Sequence, residues 1–292
     1  MERISVIATV YNRVETSLRC FRSLQEQKGF SAEFSLDYFV VDDLSKDGTP
    51  AALSSEFPEN MHLISGSGDL FWSGGMALAH TEASREAPDW ILWVNDDVEL
   101  CCDAVTRLLA TARESGDDCI VVGAMRSAVD SATTYSGMLK TRPWPGGLQM
   151  ISPEEKPCVV DAFHGNLVLI PRKIYEVLGG VDGRFAHAYG DIDYGLRAKA
   201  RGFTSVLAAG YFGTCETNPV SSTWVDNSLP FLQRVGLLFG RKGYPFRSHV
   251  LYNRKHGGRG WPLYVGASYA KALSKILISH VRQVSPTKQS AE

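Results

Sequence analysis

Trp90-Ile91-Leu92-Trp93-Val94-Asn95-Asp96-Asp97 decides the fold. Five apolar residues run without a break and stop at one amide and two carboxylates. A short, continuous apolar run suits a strand buried on both faces, as in a parallel sheet. Working back from it, Met76 to about Glu86 reads as a helix, led in by Phe71-Trp72-Ser73-Gly74-Gly75. Before that, Met61 to Ile64 reads as a strand followed by Gly66-Ser67-Gly68-Asp69. Tyr38-Phe39-Val40-Val41 is a further strand, closed by Asp42-Asp43, and a turn at Ser45 to Thr49 opens a helix to about Glu56. Ile4 to Val10 is a strand that stops at Tyr11-Asn12-Arg13, and Leu18, Phe21 and Leu24 mark a helix closed by Gly29.

The first hundred residues therefore read βαβαβαβ, the pattern of a parallel sheet with helices on both faces. Ligands of such sheets bind outside the carboxyl ends of the strands. Here those ends carry Asn12 and Arg13, Asp42 and Asp43, Asp69, and Asp96 and Asp97. The repetition of polar groups on one rim is the main physical reason to place a site there.

The second half is less regular. Asp103 to Ala112 and Asp193 to Arg201 read as helices, and Ile120 to Gly123 and Leu167 to Ile170 as strands. Another helix ends at Gly179-Gly180, and the Pro- and Gly-rich stretch 141–157 reads as a hairpin or loop. From Pro230 onward Arg241, Lys242, Arg247, Arg254, Lys255 and Arg259 alternate with aromatic residues. A last helix, Leu263 to about Val284, carries Lys271, Lys275 and Arg282.

The bulk numbers exclude several classes. The chain has 292 residues, is 44% apolar and carries a formal charge of -2, so a large core is possible and no global basic excess points to nucleic acid. Its six cysteines, Cys20, Cys101, Cys102, Cys119, Cys158 and Cys215, form no C-x-x-C pair and read as reduced core thiols of a cytosolic protein. Met1-Glu2-Arg3 runs straight into the first strand, so no signal peptide is expected. No apolar run approaches the ~20 residues of a membrane-spanning helix.

Three clusters carry chemistry. Hard divalent cations such as Mg²⁺ and Mn²⁺ take one or two carboxylates plus substrate phosphates, and Asn95-Asp96-Asp97 meets that need; the alternative is a turn with a helix cap. Asp42-Asp43 can accept from a ribose hydroxyl or base N–H, or serve an Asx-turn. Asp191-Ile192-Asp193 with Arg197 can supply a general base within reach of an attacking hydroxyl, flanked by Phe185, His187 and Tyr189 as a sugar platform. It can equally be a helix cap plus an i,i+4 pair. The glycine-rich stretch 65–75, with Trp72, Gly74 and Gly75, can bring backbone N–H groups to phosphates.

Together these motifs resemble the family 2 glycosyltransferases of the GT-A fold over roughly residues 4 to 215. Val40 to Thr49 is similar to the family's V-D-D-x-S-x-D-G-T stretch, and Asn95-Asp96-Asp97 to its D-x-D-type metal position. Phe71 to Gly75 is similar to a variant of bacterial rhamnosyltransferase-like members, and Gly190 to Arg197 to the E-D-x-D-x-x-x-R segment. The resemblance implies a mixed, mainly parallel α/β sheet flanked by helices. It implies a catalytic domain over 1–215, divided into a nucleotide-binding half, 1–100, and an acceptor-binding half, 101–215. A C-terminal helical extension, 216–292, follows.

The implied reaction is an inverting transfer from a UDP- or dTDP-sugar to a glycan or lipid-linked acceptor, with dTDP-rhamnose favoured among donors. Asp97 is the implied principal Mg²⁺ or Mn²⁺ ligand, with Asp96 assisting. Thr9, Tyr11, Asn12, Arg13, Asp42, Asp43, Asp69, Trp72, Gly74, Gly75 and Asn95 line the donor side. Asp191 is the implied base, and His187, Tyr189, Asp193 and Arg197 face the acceptor. Gly190 stands where the family carries Glu, and no His lies in 210–217, so a third protein ligand stays open between His187 and His249. The basic C-terminal helix is expected either to rest on the inner face of an anionic plasma membrane or to pack as an ordinary solvated helix. A nucleotidyltransferase and an inactive nucleotide-sugar binder are the competing readings.

Overall fold

The structure is a computed structural model that describes residues 1–57, 59–116, 118–186, 188–240 and 243–284, without the side chains of Gln283 and Val284. The chain divides into two compact units. One comprises Met1–Pro143, Gly147–Ala186 and Gly190–Thr217; the other comprises Trp144–Gly146, His187–Tyr189 and Asn218–Glu292.

The first unit begins with the expected alternation: β1 (Glu2–Val10), α1 (Val14–Gln25), β2 (Phe34–Asp42), α2 (Thr49–Glu56), β3 (Met61–Ser65), α3 (Phe71–Arg85) and β4 (Trp90–Val94). There follow β5 (Glu99–Leu100), α4 (Ala104–Ser115), β6 (Cys119–Arg126), β7 (Thr133–Tyr135), β8 (Gly137–Lys140), β9 (Leu148–Met150), β10 (Cys158–Val160), β11 (Ala162–Phe163) and β12 (Leu167–Pro171). The unit closes with α5 (Arg172–Leu178), α6 (Gly190–Ala200) and β13 (Thr204–Thr214). The main sheet runs β10-β13-β6-β12-β4-β1-β2-β3, with β5 on β13 and β7 on β6; β11, β8 and β9 form a small second sheet.

Pairing is parallel between β1 and β2, β1 and β4, β2 and β3, and β13 and β6, which makes the sheet mainly parallel by length paired. β12 is inserted antiparallel between β4 and β6. That insertion was not foreseen from the sequence, and it matters for the site. The start of β12 lies beside the end of β4, with Leu167 opposite Val94.

Strand alternation feeds two cores. Ile4, Val6, Ala8 and Val10 of β1 join Leu92 and Val94 of β4 on one face, under α1, α2 and α4. Ile7, Ile91 and Trp93 point to the other face, under α3, α5 and α6. Trp93 is fully buried and packs edge-on to Tyr194 at 4.8 Å. A side chain of that size contributes roughly 3 kcal/mol of burial, so the strand carrying the acidic triplet is fixed in place.

Two boundaries differ from expectation. α3 starts at Phe71 rather than Met76, because Asp43 Oδ2 accepts from the Phe71 amide (3.0 Å) and satisfies one of the helix's orphan N–H groups. α6 starts at Gly190, so Asp191 lies in the first turn and not ahead of it. The 141–157 stretch resolves as a hairpin in which β8 and β9 pair antiparallel.

The second unit holds α7 (Phe231–Phe239), α8 (Phe246–His256) and α9 (Trp261–Val284). Its core is small: Leu238, Tyr269, Ala272 and Ile276, with Trp224, Phe231 and Val265 against them. Among the described residues no helix is long and apolar enough to cross a membrane.

Candidate active site

β1, β2, β3 and β4 are parallel, and their registers put Val10 beside Asp42 and Asp42 beside Ser65. Their carboxyl ends therefore share one edge, and Thr9 to Arg13, Asp42-Asp43, Gly66 to Asp69 and Asn95 to Asp97 meet there. What those groups do once assembled differs from one to the next.

The β1–α1 and β2–α2 loops are laced together. The Asn12 amide donates to Ser45 Oγ (2.9 Å), Asn12 Oδ1 accepts from the Lys46 amide (2.6 Å), and the Arg13 amide donates to Thr49 Oγ1 (3.3 Å). Asp47 Oδ2 accepts from the Val14 amide at 3.1 Å and so caps α1 from another loop. Its pKa lies below the usual carboxylate range, first because of the Thr49 hydroxyl. Asn12 is left-handed, at φ 50°, a conformation Asn tolerates. Asp42 accepts from the Ser45 amide (3.1 Å), which is the Asx-turn alternative. Tyr11 is exposed beside these loops.

Asp43 is buried, and both oxygens are committed. Oδ1 accepts from Gly68 N–H at 2.7 Å and Oδ2 from Phe71 N–H. Those two bonds shape the 66–71 loop. Asp69, at that loop's exposed tip, accepts from Ser67 Oγ (2.5 Å). Gly74 and Gly75 stand in the first turns of the next helix. They lie inside α3, where Gly74 N–H donates to Leu70 O (3.1 Å), and a Cβ at Gly75 would stand 2.3 Å from Thr9 Oγ1. The bare Gly75 thus lets the helix close onto β1.

The β4 triplet is different. Asp97 Oδ2 accepts from Arg13 Nη1 at 2.9 Å, and Asp97 keeps 28% of its side chain exposed. Asp96 is buried; its oxygens meet Arg13 Nη1 (3.4 Å) and Ser17 Oγ (3.2 Å). Burial pushes the Asp96 carboxyl up to about 6, against the pull of Arg13 and with the push of Asp97. For Arg13, burial works against the charge, but Asp96 and Asp97 overcome it and raise its pKa. Asn95 Oδ1 accepts from Trp72 Nε1 at 2.7 Å.

Two groups not singled out for the site complete it. The Cys215 thiol, at the end of β13, donates to Asp97 Oδ1 (3.4 Å) and sits 3.6 Å from Asn166 Nδ2. Burial first, and Asp97 next, push this thiol up. The second group is His164-Gly165-Asn166, the polar start of β12. Asn166 O accepts from the Asn95 amide (3.1 Å), and Gly165 N–H donates to Asp191 Oδ2 (3.0 Å). A Cβ at Gly165 would stand 2.7 Å from the Trp72 ring, so the indole lies directly over it, between Asn95 and Asp191. The missing signal was strand direction. Once β12 is antiparallel to β4, its polar first residues must meet the β4 triplet.

Asp191 is half-buried and held by two amides, Gly165 N–H and its own Ile192 N–H (2.8 Å). Burial lowers the pKa of neighbouring His164, with Asp191 opposing. A Cβ at Gly190 would stand 2.4 Å from Ser73 Oγ and 2.9 Å from Val181, so no side chain fits where the family carries Glu.

The acceptor-side residues fall in different surroundings. Asp193 is fully buried and accepts from Arg197 Nε (2.8 Å), while Arg197 also donates to Leu178 O (3.0 Å) and Gly180 O (2.9 Å). This pair ties α6 to the α5 end. Tyr189 belongs to the second unit, stacked on Tyr252 at 4.6 Å, with its hydroxyl 2.9 Å from His249 Nδ1. His249 is thereby engaged in an aromatic nest as a structural group. His187 lies outside the described residues.

No group of three His, Cys, Asp or Glu among the described residues is arranged to hold a metal by itself. Asp97 still fits a hard cation that takes one partly exposed carboxylate and fills its shell with phosphate oxygens and water. Asp96, turned toward Ser17 and Arg13, fits an assisting position.

The sheet order, with one antiparallel strand between parallel halves and the Asn95-Asp96-Asp97 triplet at the carboxyl end of β4, is that of the GT-A fold. The family model described as glycosyl transferase family 2 matches residues 5–179, and the chain belongs to that family. Among solved structures, it is similar to the mannosyltransferase PcManGT from Pyrobaculum calidifontis, in complex with GDP-Man and Mn²⁺. That likeness has a TM-score of 0.58 and 15% identity, over 99% of this chain and 76% of that one. No curated protein matches this chain.

Proposed function

We propose that this glycosyltransferase moves a sugar from a UDP- or dTDP-sugar to a hydroxyl of a glycan or lipid-linked acceptor, with inversion. The observation that carries the reading is the Trp72 bridge. One indole joins Asn95, beside the partly exposed Asp97, to the Gly165–Asp191 pair, so a donor-side carboxylate and an acceptor-side carboxylate share one rigid frame. Asp97, with Asp96 assisting, would hold Mg²⁺ or Mn²⁺. When bound, such an ion neutralises the leaving nucleoside diphosphate.

The protein's own groups do the rest. Thr9 to Arg13, Asp42 and the 66–70 loop form the nucleoside side. Asp191, held in one orientation by its two amides, takes the proton of the attacking hydroxyl. The acceptor oxygen bonds to the anomeric carbon as the bond to the diphosphate breaks. A rhamnosyl donor, a role in cell-envelope polysaccharide synthesis and a cytosolic site facing the membrane complete the reading; unpaired cysteines throughout the described residues suit that compartment.

Slow donor hydrolysis with Mn²⁺ tests it. The wild-type protein is expected to release nucleoside diphosphate, and Asp97→Ala to lower that rate by ~10³-fold, the scale of losing a metal's charge stabilisation. Equal rates would refute the metal assignment. Release of pyrophosphate instead would point to nucleotidyl transfer, and no release from either protein to an inactive binder.

A further inference from the structure

The second unit contains a charge pattern that the catalytic chemistry does not use. Of the chain's 30 Lys and Arg, eleven fall within residues 227–291, which contain no Asp or Glu, while all but one of the 32 acidic residues precede that run. The last of these, Asp226, is turned into its own loop, accepting from the Ser222 and Ser228 amides at 2.8 and 2.9 Å. Solvated helices normally intersperse both signs; a 65-residue stretch of one sign, in a chain of net charge -2, is a segregation of charge along the sequence.

α9 shows how part of that charge is presented. Tyr269, Ala272 and Ile276 point into the unit's core. On the opposite side Lys271, Lys275 and Arg282 form one stripe by helical spacing, and Leu263, Ile278 and Val281 form an adjoining one. All three apolar residues are more than half exposed, Leu263 at 77%. The stripes meet at a shallow concavity of about 410 Å³ lined by Asn227, Lys275, Ile278, Ser279 and Arg282. Beneath it, buried Arg234 donates to Ser279 Oγ at 2.8 Å.

We infer that this face of α9 docks on an anionic lipid bilayer, with Lys271, Lys275 and Arg282 on headgroup phosphates and Ile278 and Val281 in the acyl boundary. An apolar stripe beside a basic one is the composition of an interfacial helix. Nucleic acid would use the charge but leave the aliphatic stripe exposed. A second copy of the chain would bring an equally basic face against this one. The inference deepens the acceptor side of the proposed function, since a bilayer is where a lipid-linked acceptor lies, but it does not depend on the transfer chemistry.

The test is flotation of the full chain with vesicles of phosphatidylcholine alone, or with about one third phosphatidylglycerol, without donor or metal. The protein is expected to float with the anionic vesicles only, and to be released as salt rises. The combined variant Lys271→Glu, Lys275→Glu, Arg282→Glu is expected to partition ~100-fold more weakly, at about fivefold per basic residue. Ile278→Asp is expected to weaken binding while leaving the salt dependence in place.

Both variants should keep the wild-type circular dichroism and the wild-type rate of donor hydrolysis in solution. Loss of hydrolysis with flotation intact would count against the proposed function and not against this one. Failure of the wild-type protein to float, equal flotation with neutral vesicles, or wild-type flotation by the folded triple variant would overturn the inference. So would a dimer split by Ile278→Asp, or duplex binding, in a protein that ignores vesicles. Should the triple variant unfold, the wild-type salt titration decides: flotation indifferent to salt overturns the inference.

Discussion

Asp42-Asp43 closes β2 and Asp96-Asp97 closes β4, on the same edge of the same sheet, and the structure treats the two pairs in opposite ways. Asp43 spends both oxygens on backbone amides of the 66–71 loop, and Asp42 closes a turn on Ser45. Asp96 is buried with its carboxyl pushed up to about 6, and Asp97 keeps an exposed face beside Arg13 and Cys215. A buried carboxyl group held by backbone amides serves the fold. A partly exposed one held only by side chains, beside a buried neighbour that bears a burial cost, has capacity for a ligand. Adjacent acidic residues at strand ends are therefore not equivalent candidates, and exposure together with the kind of donor separates them.

The largest effect that would sharpen this contrast lies across the Trp72 bridge. Asp191→Asn should lower acceptor transfer by ~10²–10⁴-fold, the range of a lost general base, while nucleoside diphosphate affinity stays at the wild-type value. Retained transfer would remove Asp191 from the chemistry. Asp43→Ala comes next, on stability. Losing two hydrogen bonds to a buried charge should cost about 3 kcal/mol and lower the melting temperature by roughly 5–10 °C. A wild-type melting temperature would break the structural assignment.

Asp96→Asn gives the smallest effect and the opposite sign. The folded carboxyl pKa, about 6, exceeds the unfolded value, so the folded state holds the proton more tightly. Asp96's favourable contribution is then full below the unfolded pKa and is lost as pH rises through about 6. At pH 7.5 the Asn variant should be more stable than the wild-type protein by about 2 kcal/mol, and the gap should close near pH 4. A variant less stable at pH 7.5 would mean that Asp96 is a structural cap after all.

The βαβαβαβ half was legible because each of its strands is a continuous apolar run ended by polar residues, as in Trp90 to Asp97. The edge they build follows from parallel pairing alone. What could not be read was anything set by the antiparallel insertion of β12. Leu167 to Pro171 looks like any buried strand, and its direction is fixed by tertiary pairing with Val94 and Val122. Gly165 and Asn166 therefore entered the site unseen, and Cys215 came with β13, an eleven-residue strand not foreseen from the sequence. Asp193 and Arg197 show a related limit. Spacing shows an i,i+4 pair, but only packing shows Asp193 fully buried and Arg197 tied to the carbonyls of Leu178 and Gly180.

Calorimetric titration of nucleoside diphosphate, with and without Mn²⁺, into the wild-type, Asp97→Asn and Asp43→Asn proteins tests the central claim most directly. Asp97→Asn should keep its fold and lose the metal-dependent gain in affinity, while Asp43→Asn should melt lower and keep that gain. An Asp97→Asn protein that still binds more tightly with Mn²⁺, to the same degree as the wild type, would contradict the account.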